Sequence, residues 1–213
     1  MNGAELKDLV CGAMQELEKA REELRALDAA IGDGDLGITV ADGAKAVVTG
    51  LNGLNGPVRP ADVLRVAAQR FATANPSTMA ALVASGLLAA AKVVGDAEEV
   101  DRSMALSLGK AISQAIAKRG GANLGDKTVL DALVPSLEVL RDGPADPVAV
   151  LGQMVEVAEK AVAATASLPG RRGRSAWVGE RGVGHADGGA TAYMRLLQGL
   201  YRSWPTGKDK GDI

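Results

Sequence analysis

Aromatic side chains are nearly missing from this chain, which has two tryptophans, two tyrosines and one phenylalanine in 213 residues. A β-sandwich core leans on aromatic and β-branched packing. The shortage therefore hands the interior to alanine, leucine and valine, and so to closely spaced helices. Cysteine is reduced to Cys11, which excludes an intramolecular disulfide. Within "KDLVCGAMQEL" it lies on a helical apolar face and reads as a buried thiol rather than a nucleophile. The sole histidine, His185, sits in a Gly-rich turn without a Ser or Cys partner, so a solvent-facing or loop-stabilising role fits it better than general base. No apolar run approaches the length of a membrane span, and "MNGAELKDLV" lacks the basic start and apolar stretch of a signal peptide. Charge of neither sign dominates: 24 basic against 26 acidic residues leave a net −2. Nucleic acid and anionic membranes need a clustered basic surface, so neither is an expected partner. These absences predict a cytoplasmic helical protein.

What is present is helical periodicity. Hydrophobic residues make up 47% of the chain, enough for a sizeable core. Leu6, Leu9, Val10, Ala13, Met14, Leu17, Leu24 and Leu27 recur at helix-like spacings from Ala4 to Leu27. Further helices are predicted over Ile38 to Thr49, from Pro60 to about Thr73, after the Asn75-Pro76 break, and from Ala97 to Arg119. Three more are expected: one restarting at Asp126 as N-cap and stopping at Gly143, one over Pro144 to Ser167, and one over Gly189 to Trp204. No strand alternation and no fixed-period repeat interrupts them. The expectation is an all-α fold, an antiparallel bundle or closed barrel of about eight amphipathic helices. It forms one domain over 1–204, followed by a polar tail over 205–213.

One loop carries the chemistry. "GDGDLG", Gly32 to Gly37, satisfies G-x-G-x-x-G, but two of its spacer positions are Asp33 and Asp35. A Rossmann fingerprint requires a preceding strand, and "EELRALDAAI" is helical. An EF-hand starting at Asp33 would place Ile38 at its glycine position and Ala44 at its bidentate glutamate. "GGANLGDKT" misses a P-loop, because Asp126 separates Gly125 from Lys127. A metal-bridged phosphate site survives. Asp28, Asp33 and Asp35 lie within eight residues at a helix exit, where glycines let their carboxylates converge. Converging carboxylates repel unless a cation is present, and hard oxygen ligands select Mg2+ or a similar ion. Read alone, the same residues serve equally as turn and cap formers. Ser77 and Thr78 in "NPSTM", "GDKT" before the next helix, Arg174 in "GRSAW", and Asp187 in "GHADGGA" offer hydroxyls, helix N-termini and charge to an anion. Each is also an ordinary cap or turn residue. Trp177 and Trp204 read as packing residues at loop ends.

Three blocks, "LDAAIGDGDLG", "GDKTVLDAL" and "GRSAWVGERGVGHADGGA", together resemble the DhaL-type nucleotide-binding family of dihydroxyacetone kinases. The family blocks read roughly LD-x-x-IGDGDHG, GDKTM-x-D and GR-x-SYLGER-x-x-GH-x-DPGA, in the same order. The resemblance implies a barrel of eight amphipathic helices with a nucleotide, ADP or ATP, at one end. It places the Mg2+ ligands on Asp28, Asp33 and Asp35, clamping the phosphates through two ions. Phosphate and nucleotide contacts fall on Leu36, Gly37, Ile38, Thr39, Ser77 and Thr78, and the base and ribose region on Gly120, Val129, Arg174, Asp187, Gly188 and Gly189. It also implies phosphoryl transfer to a small ketose held by a separate DhaK-type subunit. The donor is ATP or, in phosphotransferase-system versions, a phosphohistidine carrier of the DhaM type.

The chain departs from the family pattern at three places. The family histidine is Leu36, the G-G-T-S-G turn is Asn75-Pro76-Ser77-Thr78-Met79, and the D-P-G turn is Asp187-Gly188-Gly189. The metal aspartates are untouched. Leu36 and the Asn75-Pro76 turn also suit an alternative, a nucleotide-binding regulatory relative that acts by docking to a partner.

Overall fold

The structure, a computed structural model, describes residues 1–172, 176 and 182–205, with only the backbone described at Ile31. Among these residues there are nine helices and no strand. They are α1 (Gly3–Glu18), α2 (Arg21–Ile31), α3 (Leu36–Asn52), α4 (Pro60–Ala74), α5 (Thr78–Val94), α6 (Arg102–Gly120), α7 (Leu130–Asp142), α8 (Pro147–Thr165) and α9 (Gly188–Ser203). No described helix is long and apolar enough to cross a membrane.

The starts follow capping chemistry. Asn2 and Glu5 form a reciprocal capping box on α1. Asp101 caps α6 through Met104 N at 2.7 Å, and Asp146 caps α8 through Ala149 N at 2.8 Å with Pro147 at the first turn. Two predicted boundaries move for this reason: α6 begins at Arg102 rather than Ala97, and α8 at Pro147 rather than Pro144. The periodic stretch from Ala4 to Leu27 is also two helices, not one. The chain turns between them at Lys19-Ala20, and Leu17, Ala20 and Leu24 share one cluster with Val40 and Ala192. Nor does Asp126 cap α7. Lys127 adopts a left-handed backbone, φ +62°, which breaks the helical path before Val129.

Eight helices close into a ring. In order α1, α3, α4, α5, α6, α7, α8 and α9 each pack on the next, and α9 returns to α1, while α2 sits outside against α3 and α9. The core is a chain of patches between ring neighbours. Val47, Leu51, Val63 and Phe71 fill one, Ala61, Leu64, Ala90 and Leu108 the next, and Ala132, Val150, Met154 and Met194 a third. Small residues let the helices approach. At the ring closure a Cβ on Gly199 of α9 would lie 2.8 Å from Ala13 O of α1.

The α6–α7 corner is held by Arg102. Its guanidinium donates to the carbonyls of Leu140 (2.6 Å), Gly143 (2.9 Å), Val139 (3.3 Å) and Pro144, thereby satisfying the C-terminal end of α7.

Two substitutions test this frame. Arg102→Met should lower unfolding stability by about 2–4 kcal/mol in urea titrations, because carbonyls bonded to a charged donor lose it together. Gly199→Ala should cost about 1–3 kcal/mol by forcing α1 and α9 apart, whereas an unchanged melting temperature would contradict the close closure.

Candidate functional site

The antiparallel ring gathers helix N-termini at one end. There the first turns of α3, α5 and α9 and the segment opening α7 surround a cavity of about 540 Å³. Such N-termini present unpaired N–H groups and a positive dipole end, which favours anions. Cavity size and shape fall in the range of small-molecule sites.

The acidic loop enters from α2. Gly34, at φ +77°, turns the chain left-handed so that Asp33 and Asp35 fold back toward Asp28 near the end of α2. Ligand oxygens of the three carboxylates lie within 4.8 Å of one another. Asp28 and Asp35 line the cavity, while Asp33 is exposed at its rim. Asp28 Oδ2 also accepts from Leu36 N at 3.2 Å, which ties the cluster to the start of α3.

Opposite, Ser77 caps α5 by accepting from Ala80 N at 3.1 Å, and Thr78 follows it. Asp187 caps α9 through Ala190 N at 2.6 Å, and its own N–H donates to Thr165 Oγ1 at 2.9 Å. Burial pushes the Asp187 carboxyl up to about 6; nearby Asp131 adds to this, while the Ala190 N–H and the Lys127 ammonium oppose it.

The α6–α7 turn is a clamp. Asp131 accepts from Gly125 N at 2.5 Å and Thr128 N at 2.7 Å. Asp126 accepts from Asn123 N at 2.9 Å and Arg172 Nε at 3.0 Å, and these partners hold its carboxyl below the usual range. Lys127 is 1% exposed, and its Nζ donates to Leu168 O at 3.0 Å and Gly182 O at 2.7 Å. Desolvation lowers its pKa, with the Asp187 carboxylate pulling the other way. The turn is thus bonded to Leu168 and Arg172 after α8 and to Gly182 before α9.

Among the residues singled out from the sequence, the structure brings Asp28, Asp35, Leu36, Thr39, Ser77, Thr78, Gly120, Val129, Asp187, Gly188 and Gly189 to the cavity. Gly37 and Ile38 lie in the first turn of α3 but do not line it. Arg174 and Trp177 lie outside the described residues. His185 is exposed in its turn, and Trp204 packs partly buried against the α7–α8–α9 patch. Sequence reasoning missed the apolar wall of Met79, Leu82, Ile116 and Ala122, together with Lys127 and Arg172. The wall residues share their spacing with core positions, so periodicity could not separate them. The charge in "GDKT" was visible, but its burial was not.

Known proteins resemble this chain in sequence and in fold. The profile of the DAK2 domain family matches residues 30–202. The ADP-binding subunit DhaL of PEP-dependent dihydroxyacetone kinase 2 from Listeria innocua is 30% identical over 85% of this chain and 85% of its own length. The L-erythrulose 1-kinase of Mycolicibacterium smegmatis is 34% identical over 84% of this chain, which spans only 32% of that protein. The crystal structure of the dihydroxyacetone kinase from C. freundii with AMP-PNP and Mg2+ superposes with a TM-score of 0.74 at 23% identity, covering 95% of this chain and 34% of that one. At that identity the superposition speaks for the fold, and the sequence matches carry the kinship: the chain belongs to the DAK2 domain family, of the DhaL type found in dihydroxyacetone kinases.

Proposed function

We propose that this chain is the nucleotide-binding subunit of a small-ketose kinase. It holds ADP or ATP in the cavity and presents the terminal phosphate to a ketose carried by a separate DhaK-type subunit. The observation that carries this reading is the meeting of three carboxylates and several helix N-termini at one cavity end. Carboxylates alone would repel a phosphate, and N-termini alone would not need carboxylates. A cation between the two satisfies both.

The donor set suits Mg2+: hard oxygens only, close together, open to the cavity on one side. Two Mg2+ ions held by Asp28, Asp33 and Asp35 would supply positive charge against the phosphates. The chain's own residues bind and orient. Thr39, Ser77 and Thr78 offer hydroxyls, and the first N–H groups of α3, α5 and α9 offer donors, including the Gly188-Gly189 turn beside Asp187. Leu82, Ile116 and Ala122, with Gly120 beside them, form an apolar end suited to a flat base. From the sequence alone, Arg174 is a further candidate contact to the nucleotide.

From ATP, transfer breaks the bond between the terminal phosphorus and the bridging oxygen, forms one to a ketose hydroxyl oxygen, and releases that hydroxyl's proton on the side of the ketose-carrying subunit. Positioning and charge neutralisation do most of the work. Relatives include both a PEP-dependent kinase subunit and an erythrulose kinase. Dihydroxyacetone and erythrulose are therefore the acceptors to assay, with ATP and a DhaM-type phosphohistidine carrier as the donors, in a cytoplasmic setting.

Two results test the reading. Asp33→Ala and Asp35→Ala should each weaken Mg2+-dependent ADP binding by about 100-fold or more in calorimetry, with helicity retained; unchanged affinity would overturn the proposal. The second concerns Asp187, whose folded-state pKa is raised. Its contribution to stability is full below the unfolded value near 3.8 and is lost as pH rises through about 6. Asp187→Asn keeps an oxygen for the cap, so without ligand it should gain on the wild type by about 2 kcal/mol between roughly pH 4 and pH 7. Solvent in the cavity, which Asp187 lines, keeps the gain below the full linkage value. A constant difference across that range would rule the titration out.

A further inference from the structure

Leu36 is an unexpected side chain beside a carboxylate cluster. Its backbone N–H is bonded to Asp28, and its side chain lines the cavity. One side of that side chain packs on the Leu17, Leu24 and Val40 cluster shared by α1, α2 and α3. The other side reaches the start of α9, where a Cβ on Gly188 would lie 2.5 Å from Leu36 Cδ2. No side chain fits at position 188 while Leu36 holds this rotamer. Gly188 is itself buried at the first position of α9, next to the Asp187 cap. Leu36 and Gly188 thus form one physical contact across the mouth of the cavity.

We propose that Leu36 and Gly188 act as a matched positioning pair. Leu36, wedged between the core and α9, sets the distance between the N-terminal turns of α3 and α9, and so where the α3 turn meets the phosphates relative to where the α9 turn meets the rest of the nucleotide. Neither residue donates a hydrogen bond from its side chain. Their role is to fix where the N–H groups of Leu36 and of the Gly188-Gly189 turn point relative to the Asp28 carboxylate. The inference rests on the nucleotide reading of the cavity.

The contact makes a reciprocal prediction. A methyl group at 188 collides with Leu36, and shortening Leu36 removes the collision. Gly189 provides the comparison, because the nearest atoms a Cβ there would meet are Asp187 Oδ1 at 3.2 Å and the Val129 backbone N at 3.5 Å.

The test is a double-mutant cycle on the full chain, read by calorimetry with ADP and Mg2+ and, for weak binding, by NMR titration with AMP. Gly188→Ala should weaken ADP binding about tenfold or more, and Leu36→Ala/Gly188→Ala should return to within about threefold of Leu36→Ala. Leu36→Ala alone should lower the ratio of ADP to AMP affinity, because the loss falls on the terminal phosphate. Leu36→Ala should not rescue Gly189→Ala. Additive effects at 188, or an unchanged ADP to AMP ratio in Leu36→Ala, overturn the inference. If Gly188→Ala does not fold, the ratio in Leu36→Ala and the folding of the double variant decide it: a folded double variant supports the pair, and an unfolded one overturns it. A wild-type chain that binds no ADP with Mg2+ overturns the functional reading and this inference with it. Binding by the wild type with an additive cycle overturns the inference alone.

Discussion

The structure depends on the closure of the ring between its first and last helices. α1 meets α9 where Gly199 faces the Ala13 backbone and Gly12 faces Ser203, so the two helices pack at backbone distance. With the ring closed, an antiparallel path has one consequence for chemistry. Every second ring helix must start at the same end, and α3, α5, α7 and α9 do so around one cavity. The partial positive charge gathered there belongs to the topology and not to any particular side chain.

That field explains how the acidic loop can be held beside the cavity. Asp28 accepts the Leu36 N–H at the start of α3, and Asp187 and Ser77 each cap a helix whose first turn faces the same space. The clamp formed by Asp126, Lys127 and Asp131 does the complementary work on the far side. Lys127 places a cation where it meets two backbone carbonyls, Leu168 O and Gly182 O, rather than solvent. Its left-handed backbone is the local strain that this arrangement carries, and the two carbonyl bonds with the neighbouring Asp126–Arg172 pair offset it.

Much of this was legible in the residues. The alanine and leucine periodicity and the near absence of aromatics specify helices, and the Gly34 turn between aspartates specifies a carboxylate cluster. Where the sequence fell short, the deciding interaction was tertiary. The break between α1 and α2 falls at Lys19-Ala20, inside one unbroken periodic stretch of sequence that has no Gly or Pro there to mark it. The apolar wall of Leu82, Ile116 and Ala122 looks in sequence like any other core stripe, because a helix with one face to a cavity and one with its face to a neighbour carry the same pattern. Lys127 is the clearest case. A lysine in a turn reads as solvated, and only the folded chain brings two carbonyls from the α8–α9 segment to its ammonium.

The place of α2 outside the ring has a further consequence. It carries Asp28, yet among its described side chains only Leu24 is fully buried, so few described apolar contacts hold it. Local opening free energies are lowest where buried apolar contacts are fewest. α2 and the acidic turn therefore form the element whose order is most open to influence from the cavity. A ligand that neutralises the carboxylates becomes a further anchor for α2, in effect a structural strut. Hydrogen-exchange protection at this corner would then report occupancy of the site directly, while the eight-membered ring stands unchanged behind it.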